Sequence, residues 1–228
     1  METPKFSQLR LLYPGYRHHG GKYTNDDVMQ MVLGVRSSGS TGSLHGRAAA
    51  AVRLSWTLNR YGGRHAVGRD PVRLSGRGAG RDSFSGADGQ QYIFRQEALA
   101  RFLTARYGAP VVERMAAAGE GASVTARWLR RVRRRRWPIA GRQGIVRVVV
   151  RHHDAGGPEQ DGFVGLWDCD RFHESRDWTL DAHVVAVEFW ESAGATVTVT
   201  VLCIALHALP PFVYFRHCLC AETVKSEL

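Results

Sequence analysis

The order in which two hydrophobic patterns follow each other constrains the fold of this chain most. In the first half, apolar residues recur at helical spacing within FSQLRLLY, DDVMQMVLGV, the stretch from Ala48 to Leu58, and QEALARFLTARYG. In the second half, GIVRVVV, FVGLW, HVVAVEF and ATVTVTVLCIAL are β-branched runs or alternations typical of strands. Helices followed by strands predict an α+β fold.

The segments between these patterns set the expected domain limits. Residues 64–91 are rich in Gly, Arg and Ser without periodicity, which predicts a long loop. A further helical segment is expected to carry RWLRRVRRRRW, residues 127–137. We expect one domain over residues 1–191 and a separate C-terminal tail over residues 192–228 whose structure the pattern leaves undefined.

The charge of the chain points to anionic partners. It has 31 Lys and Arg against 21 Asp and Glu, a net charge of +10, which favours a nucleic acid, an acidic cell-wall polymer or an anionic membrane face. The seven arginines of RWLRRVRRRRW, a segment that also contains Trp128 and Trp137, supply much of this excess. Three interpretations stay open for this run: attraction to an anionic polymer, a solvated helix face, or specific nucleic-acid binding, which no accompanying motif supports.

Cysteine usage and the N-terminus bear on cofactors and location. Cys169, Cys203, Cys218 and Cys220 have spacings that fit neither a zinc site nor a disulfide framework, so we expect reduced thiols, no metal and no cofactor. The opening METPKFSQLR lacks the apolar core of a secretory signal. The composition is that of a soluble protein, and its export would require a signal-independent secretion apparatus.

Four alanines, residues 48–51, open the best-defined helix directly after the glycine-rich SSGSTGSLHG. Such a helix start is where a cysteine thiolate gains most from the helix dipole and the exposed amides. Alanine is also the best helix former, so its presence needs no special reason. The surrounding sequence has to decide between these two interpretations.

The alanine helix resembles the active helix of the type VI secretion amidase effectors, fourth family. That helix begins Asn-Ala-Cys-x-Ile-Arg-Met-Ser and runs on to Leu-Asn, whereas this chain has AAAAVRLS over residues 48–55 and then Leu58-Asn59. Four further segments follow in the order that the family has. SGADGQQYIFR resembles the family's Ser-Gly-Ala-Asp loop, and GRQGI resembles its Gly-Ile strand start. GFVGLW resembles the strand that carries the family's histidine, and Phe189-Trp190 resembles its closing aromatic strand. The likeness covers residues 4–191.

The resemblance implies a papain-like (NlpC-type) cysteine amidase fold with N-terminal helices followed by an antiparallel sheet. It also implies a toxin that cuts peptidoglycan stem peptides after D-glutamate, and an immunity-type protein partner. In an intact member the thiolate attacks the amide, while backbone amides at the helix start stabilise the oxyanion.

The departures from the family motif fall on the reacting groups. The nucleophile position holds Ala50, the general-base position holds Phe163, and the position of the orienting carboxylate holds Glu174. Alanine cannot attack and phenylalanine cannot carry a proton, so we expect amidase activity close to zero and a binding pseudoenzyme. An engineered Cys-to-Ala change would explain Ala50 and leave Phe163 unexplained.

Two alternatives remain from the sequence. Catalysis relocated to other residues would draw on those near the helix and the strand pair, namely Ser43, His45, Ser55, His152, His153, Cys169 and His173. The second alternative concerns the groove that the family fold would leave without catalytic residues. Arg53, Asp88 and Trp167 are predicted either to bind a cell-wall peptide or to hold the fold together.

Overall fold

The computed structural model of the protein describes residues 2–34, 46–76, 80–114, 137–151, 160–180 and 183–194. The arginine run, the start of the expected helix around it and almost all of the C-terminal tail lie outside these residues. The limit of the domain at residue 191 therefore stays a prediction. In the described parts of the chain, no helix has the length and apolar character needed to cross a membrane.

Four α-helices occupy the first half of the chain, where the helical periodicity was predicted. They are α1 (Phe6–Leu12), α2 (Asn25–Leu33), α3 (Gly46–Tyr61) and α4 (Gln96–Tyr107). Helix α2 begins with a capping box, because the Thr24 hydroxyl accepts from the Asp27 amide and the Asp27 carboxylate accepts from the Thr24 amide. Helix α2 ends at Gly34 and α4 is followed by Gly108, and both glycines have positive φ.

Five strands form one antiparallel sheet in the order β3-β7-β4-β5-β6. Their bounds are β3 (Val111–Arg114), β4 (Arg142–Arg151), β5 (Gln160–Cys169), β6 (Arg171–Phe172) and β7 (Val184–Glu191). The runs GIVRVVV and FVGLW lie within β4 and β5, and HVVAVEF lies within β7 except for its first residue, His183, which confirms the α+β prediction. The sequence reading missed β3 and β6, since four and two residues are too short for a visible alternation.

The predicted loop over residues 64–91 is partly wrong. A two-stranded hairpin, β1 (Ser83–Ser85) with β2 (Gln91–Ile93), lies at its end. The Gly86 amide donates to the Gln90 carbonyl at 2.8 Å and Asp88 Oδ1 accepts from the Gln90 amide at 3.0 Å, so SGADGQQ forms the hairpin turn. Strands of three residues leave too little pattern to separate them from a glycine-rich loop.

Helix α3 joins the hairpin and the large sheet. Two of its side-chain rows are apolar: Ala50, Ala51, Leu54 and Leu58 belong to the main core, while Val52 belongs to a second cluster with Val28, Val32 and Tyr92. The helix packs on β5 of the large sheet and on β2 of the hairpin. Near the last described residue, the Ala193 amide donates to the Pro4 carbonyl at 3.1 Å.

Candidate functional site

The nucleophile position lies in the interior of the protein. Ala50 is 0% exposed and belongs to the same core cluster as Phe163, in which α3 packs on β5. Both positions that the family motif assigns to the thiol and the imidazole therefore lie in the main core, and their roles stay a prediction. Neither of the residues found there can transfer a proton.

Phe163 is surrounded by aromatic rings. Its side chain is 1% exposed. Its ring stacks on Trp178 with centroids 4.2 Å apart and an angle of 15°, meets Phe172 edge-on at 5.5 Å, and lies 6.1 Å from Tyr16. Stacked and edge-to-face pairs are favourable arrangements of aromatic side chains. Position 163 is therefore a packed hydrophobic site.

Glu174 follows β6 and adopts a left-handed backbone conformation with φ of 46°. Its carbonyl accepts from the Tyr16 amide at 3.0 Å, and a Cβ at Gly15 would overlap its side chain, so this close approach requires glycine at position 15. Burial raises the pKa of the Glu174 carboxyl, although Lys22 and Arg10 oppose the rise. The His173 Nε2 lies 3.9 Å from the Glu174 Oε1.

Two tyrosines complete the surroundings of these positions. Burial raises the pKa of Tyr13 well above its usual value and that of Tyr16 to about 12. A phenol with so high a pKa stays protonated at neutral pH and is a poor general base. Ala50, Phe163 and Glu174 thus lack the pair of groups that hydrolyses an amide, and the neighbouring phenols do not replace it.

Arg53 is 0% exposed and is bonded to backbone on two sides. Its Nη1 donates to the Pro14 carbonyl and, at 3.2 Å, to the Gly15 carbonyl. Its Nη2 donates to the Tyr23 carbonyl at 3.2 Å and to Asn25 Oδ1 at 3.1 Å. The guanidinium also lies 4.0 Å from the centre of the Tyr16 ring. These contacts favour the structural alternative for Arg53, and binding of a ligand by it stays a prediction.

Trp167 is also 0% exposed. Its Nε1 donates to the Ile139 carbonyl at 3.2 Å, and its ring lies 6.5 Å from Trp137 and edge-on to Phe172 at 5.5 Å. A ligand outside the protein cannot touch this ring without a rearrangement. As for Arg53, burial favours a role in the core.

Asp88 is exposed at the tip of the β1–β2 hairpin. Its Oδ2 accepts from the Tyr92 hydroxyl at 2.8 Å, while Oδ1 accepts from the Gln90 amide. Of the three residues predicted to line a groove, Asp88 alone keeps a solvent-facing side chain. Its two bonds also shape the turn, so both interpretations stay open for it.

The residues considered for relocated catalysis are only partly described. Ser55 is buried, and its hydroxyl donates to the Ile93 carbonyl at 3.3 Å and accepts from the Ile93 amide at 3.1 Å, which fixes α3 to β2. Cys169 is buried at the end of β5. Ser43, His45, His152 and His153 lie outside the described residues. A group of His, Cys, Asp or Glu side chains suited to a metal ion does not occur in the described ranges.

Two histidines have a pKa below the usual value. His65 Nδ1 and the Tyr107 hydroxyl share a hydrogen bond of 3.0 Å. Burial and the nearby Arg64 lower the pKa of His65. Burial and the nearby Arg10 lower the pKa of His173. In the unfolded chain the pKa values of both histidines return to the usual value of about 6.5.

We expect the free energy of unfolding to fall as the pH drops below about 6.5. The folded pKa values are lower than the unfolded ones, so between them the unfolded chain binds more protons and acid favours unfolding. The raised pKa of Glu174 acts in the opposite direction, above its usual value of 4.5. Urea unfolding across this range measures the slope, which His173→Gln should reduce. Stability that stays level or rises on acidification would contradict the assignment.

Sequence reasoning missed Tyr13, Tyr16 and Trp178, which surround the base position. Tyr13 and Tyr16 flank Pro14-Gly15 in LYPGY, at the end of the helical segment predicted in FSQLRLLY. Trp178 lies in a short 3₁₀ turn, Trp178–Leu180, that carries no periodic pattern. An aromatic residue on each side of a Pro-Gly turn was the one available signal.

Comparison with solved structures shows what this arrangement of helices and sheet is. The chain shares its fold with the Tae4 type VI effectors. The Tae4 effector of Enterobacter cloacae has a TM-score of 0.53 at 18% identity, with 84% of this chain and 99% of that chain covered. Tae4 in the Tae4–Tai4 effector–immunity complex of Salmonella Typhimurium gives 0.51 at 21% identity, covering 83% and 98%.

A second complex, Tae4–Tai4 from Enterobacter cloacae, gives a TM-score of 0.52 at 18% identity over 83% of this chain and 98% of the other. The predicted papain-like fold is thereby confirmed. The sequence matches no protein-family model and none of the curated proteins.

Proposed function

We propose that this protein is a member of the type VI secretion peptidoglycan amidase effector family that has lost amidase activity and acts by binding. The fold it shares with the Tae4 effectors supports the family, as do the five motifs that follow one another in the family order. The observation that carries the inactivity is the pair Ala50 and Phe163, buried in one core cluster where a thiol and an imidazole belong.

The energetics of such sites make the loss nearly complete. Removal of one member of a nucleophile–base pair costs on the order of 10⁴- to 10⁶-fold in rate, and removal of the second adds little. Binding does not depend on the reacting groups. The ligand that fits the proposed ancestry is the peptide of the cell wall, whose carboxylates suit a chain with a net charge of +10.

An immunity-type protein is the proposed macromolecular partner. Two of the solved neighbours are effector–immunity complexes, Tae4–Tai4 from Salmonella Typhimurium and from Enterobacter cloacae. The same scaffold therefore offers a surface for such a protein in those effectors. We extend this partner class to the present chain as part of the proposal.

Digestion of purified peptidoglycan sacculi tests the proposal. We expect this chain to release muropeptides at the level of buffer alone, while Enterobacter cloacae Tae4 serves as the active control. Sedimentation with intact sacculi should retain the chain. Muropeptide release that Ser55→Ala or His45→Ala abolishes would instead establish an active hydrolase with relocated residues, and absence from the sacculus pellet would exclude the binding role.

A polyanion-binding protein on the same scaffold is the second candidate. The seven arginines of residues 127–136 favour it, because guanidinium groups flanked by tryptophans suit phosphate and carboxylate polymers. Replacement of these arginines by glutamine should then abolish salt-sensitive retention on heparin. Unchanged retention would eliminate this candidate.

A further inference from the structure

Four aromatic rings lie next to one another where helix α3 meets the β1–β2 hairpin. This ring row consists of Trp56, Tyr92, Phe84 and Phe94, in that order. Neighbouring centroids lie 6.0 to 6.4 Å apart and neighbouring planes differ by 25° to 31°. Nearly parallel rings at this separation overlap little, so none covers the whole face of the next. Tyr92 is buried and the other three rings are partly exposed, so the ring row presents aromatic surface to the solvent.

Two elements build the ring row. Phe84 pairs with Tyr92 across the hairpin, and Phe94 follows Tyr92 by two positions, so strand alternation puts their rings on one face. Trp56 comes from α3 and packs against the same second cluster, apart from the main core. The ring row is therefore a product of how the hairpin lies on the helix.

The hairpin turn is held against α2. The Ala87 amide donates to the Val32 carbonyl at 2.8 Å, and the Tyr92 hydroxyl donates to Asp88 Oδ2 at 2.8 Å. A Cβ at Gly86 would overlap the Tyr92 ring, so the close approach of turn and ring requires glycine there. A ligand that binds to the rings meets a surface already formed, which lowers the entropic cost of binding.

The charges beside the rings balance. The Arg60 guanidinium lies 4.5 Å from the centre of the first ring, and that of Arg95 lies 5.8 Å from the centre of the last. Arg95 Nε also lies 3.5 Å from Asp82 Oδ1, and Asp88 is exposed on the turn. Two guanidinium groups and two carboxylates cancel. A polyanion such as a nucleic acid needs an excess of positive charge, so this surface suits a neutral ligand better.

Hydrogen-bonding groups of both kinds remain available at the rings. Arg60 is exposed and has no carboxylate partner in the part of the chain that the structure describes, so its donors face water. Each Asp88 oxygen accepts one described bond and can accept another. A sugar ring matches this combination, because its C–H face gains from burial on an aromatic ring while its hydroxyls need donors and acceptors.

We propose that the ring row binds a chain of neutral sugars, with pyranose faces on Trp56 and Phe84 and hydroxyls bonded to Arg60 and Asp88. The inference rests on the proposed function for the choice of ligand, which is then the glycan strand of the cell wall. It assigns to the hairpin a binding role that the buried Arg53 and Trp167 do not offer.

Calorimetric titration with a soluble oligomer of β-linked N-acetylglucosamine tests the proposal. We expect the oligomer to bind and Trp56→Ala to raise the Kd about 10-fold or more, since a ring contact is lost. Phe84→Leu, which keeps an apolar side chain, should act in the same direction. If circular dichroism shows either variant to be unfolded, the exposed Arg60→Gln carries the test, with a Kd raised about 3-fold.

Phe102→Leu is the matched control. Phe102 also has an arginine over its ring, since Arg106 lies 5.1 Å from the ring centre, but it belongs to the main core. This variant should lose stability and keep its affinity for the oligomer. Equal weakening by Phe102→Leu and Phe84→Leu would mean general loosening, and absence of oligomer binding would exclude a sugar site. Binding of oligothymidylate in place of the sugar would make the ring row a nucleic-acid surface. Each of these results overturns the proposal.

Sedimentation with sacculi separates this inference from the proposed function. A chain that is retained by sacculi but does not bind the oligomer, or binds it regardless of Trp56, Phe84 and Arg60, would keep the proposed function and refute the sugar site. A chain that binds the oligomer through these residues but stays out of the sacculus pellet would do the reverse.

Discussion

Replacement of Arg53 by lysine is expected to lower the free energy of unfolding by about 3 kcal/mol. The guanidinium of this fully buried residue joins three backbone carbonyls and an amide oxygen that come from two sides of the loop after α1. A lysine carries its donors on one atom and cannot span these acceptors, so several buried carbonyls lose their partners. Urea unfolding measures the loss.

Arg60→Lys provides the comparison. Arg60 lies on the same helix, is exposed, and covers the Trp56 ring, so its replacement should change stability by no more than about 0.5 kcal/mol. If Arg53→Lys were as mild as Arg60→Lys and instead weakened sacculus binding, Arg53 would be a ligand contact.

Trp167→Ala should lower the free energy of unfolding by about 4 kcal/mol, since removal of a large buried ring loses its transfer free energy and leaves a cavity. Removal of the indole also leaves the Ile139 carbonyl without its 3.2 Å hydrogen bond from Trp167 Nε1. Chemical denaturation checks the value, and near-ultraviolet circular dichroism should show the loss of the packed Trp137–Trp167 pair.

Trp167→Phe tests the same site with less disturbance. It keeps a ring but removes the bond to Ile139, so its cost should be clearly smaller than that of alanine. A Trp167→Ala protein of normal stability that has lost peptidoglycan binding would return Trp167 to the surface of a groove, against the burial found here.

Periodicity was sufficient to predict the long elements of the fold. The apolar rows of α3 and the β-branched runs of β4, β5 and β7 are local properties of the sequence, and each was placed within a few residues. The family motif assigned roles to Ala50 and Phe163, which lie more than a hundred residues apart in the chain and both belong to the main core cluster; that assignment stays a prediction. Local pattern thus predicted the main elements of the fold.

The interior contacts of the site could not be predicted in this way. An arginine in an amphipathic helix is usually solvated, and the carbonyls that bury Arg53 belong to Pro14, Gly15 and Tyr23, some 30 to 39 positions earlier. The stack of Trp178 on Phe163 joins a short turn to a strand without any periodic signal. Such contacts depend on how elements meet in space, which one sequence does not encode locally.

The close packing of α3 on β5 also limits how this protein could change in evolution. Ala50 is completely buried, so a mutation to cysteine would have to fit an extra sulfur atom into the interior, and the position that the family motif assigns to an imidazole would still hold Phe163. An imidazole at position 163 without a thiol at position 50 would lose the aromatic contacts and gain no rate. Under the proposed function, each single change toward a thiol–imidazole pair therefore costs stability without a gain in activity, and hydrolysis would require both changes together.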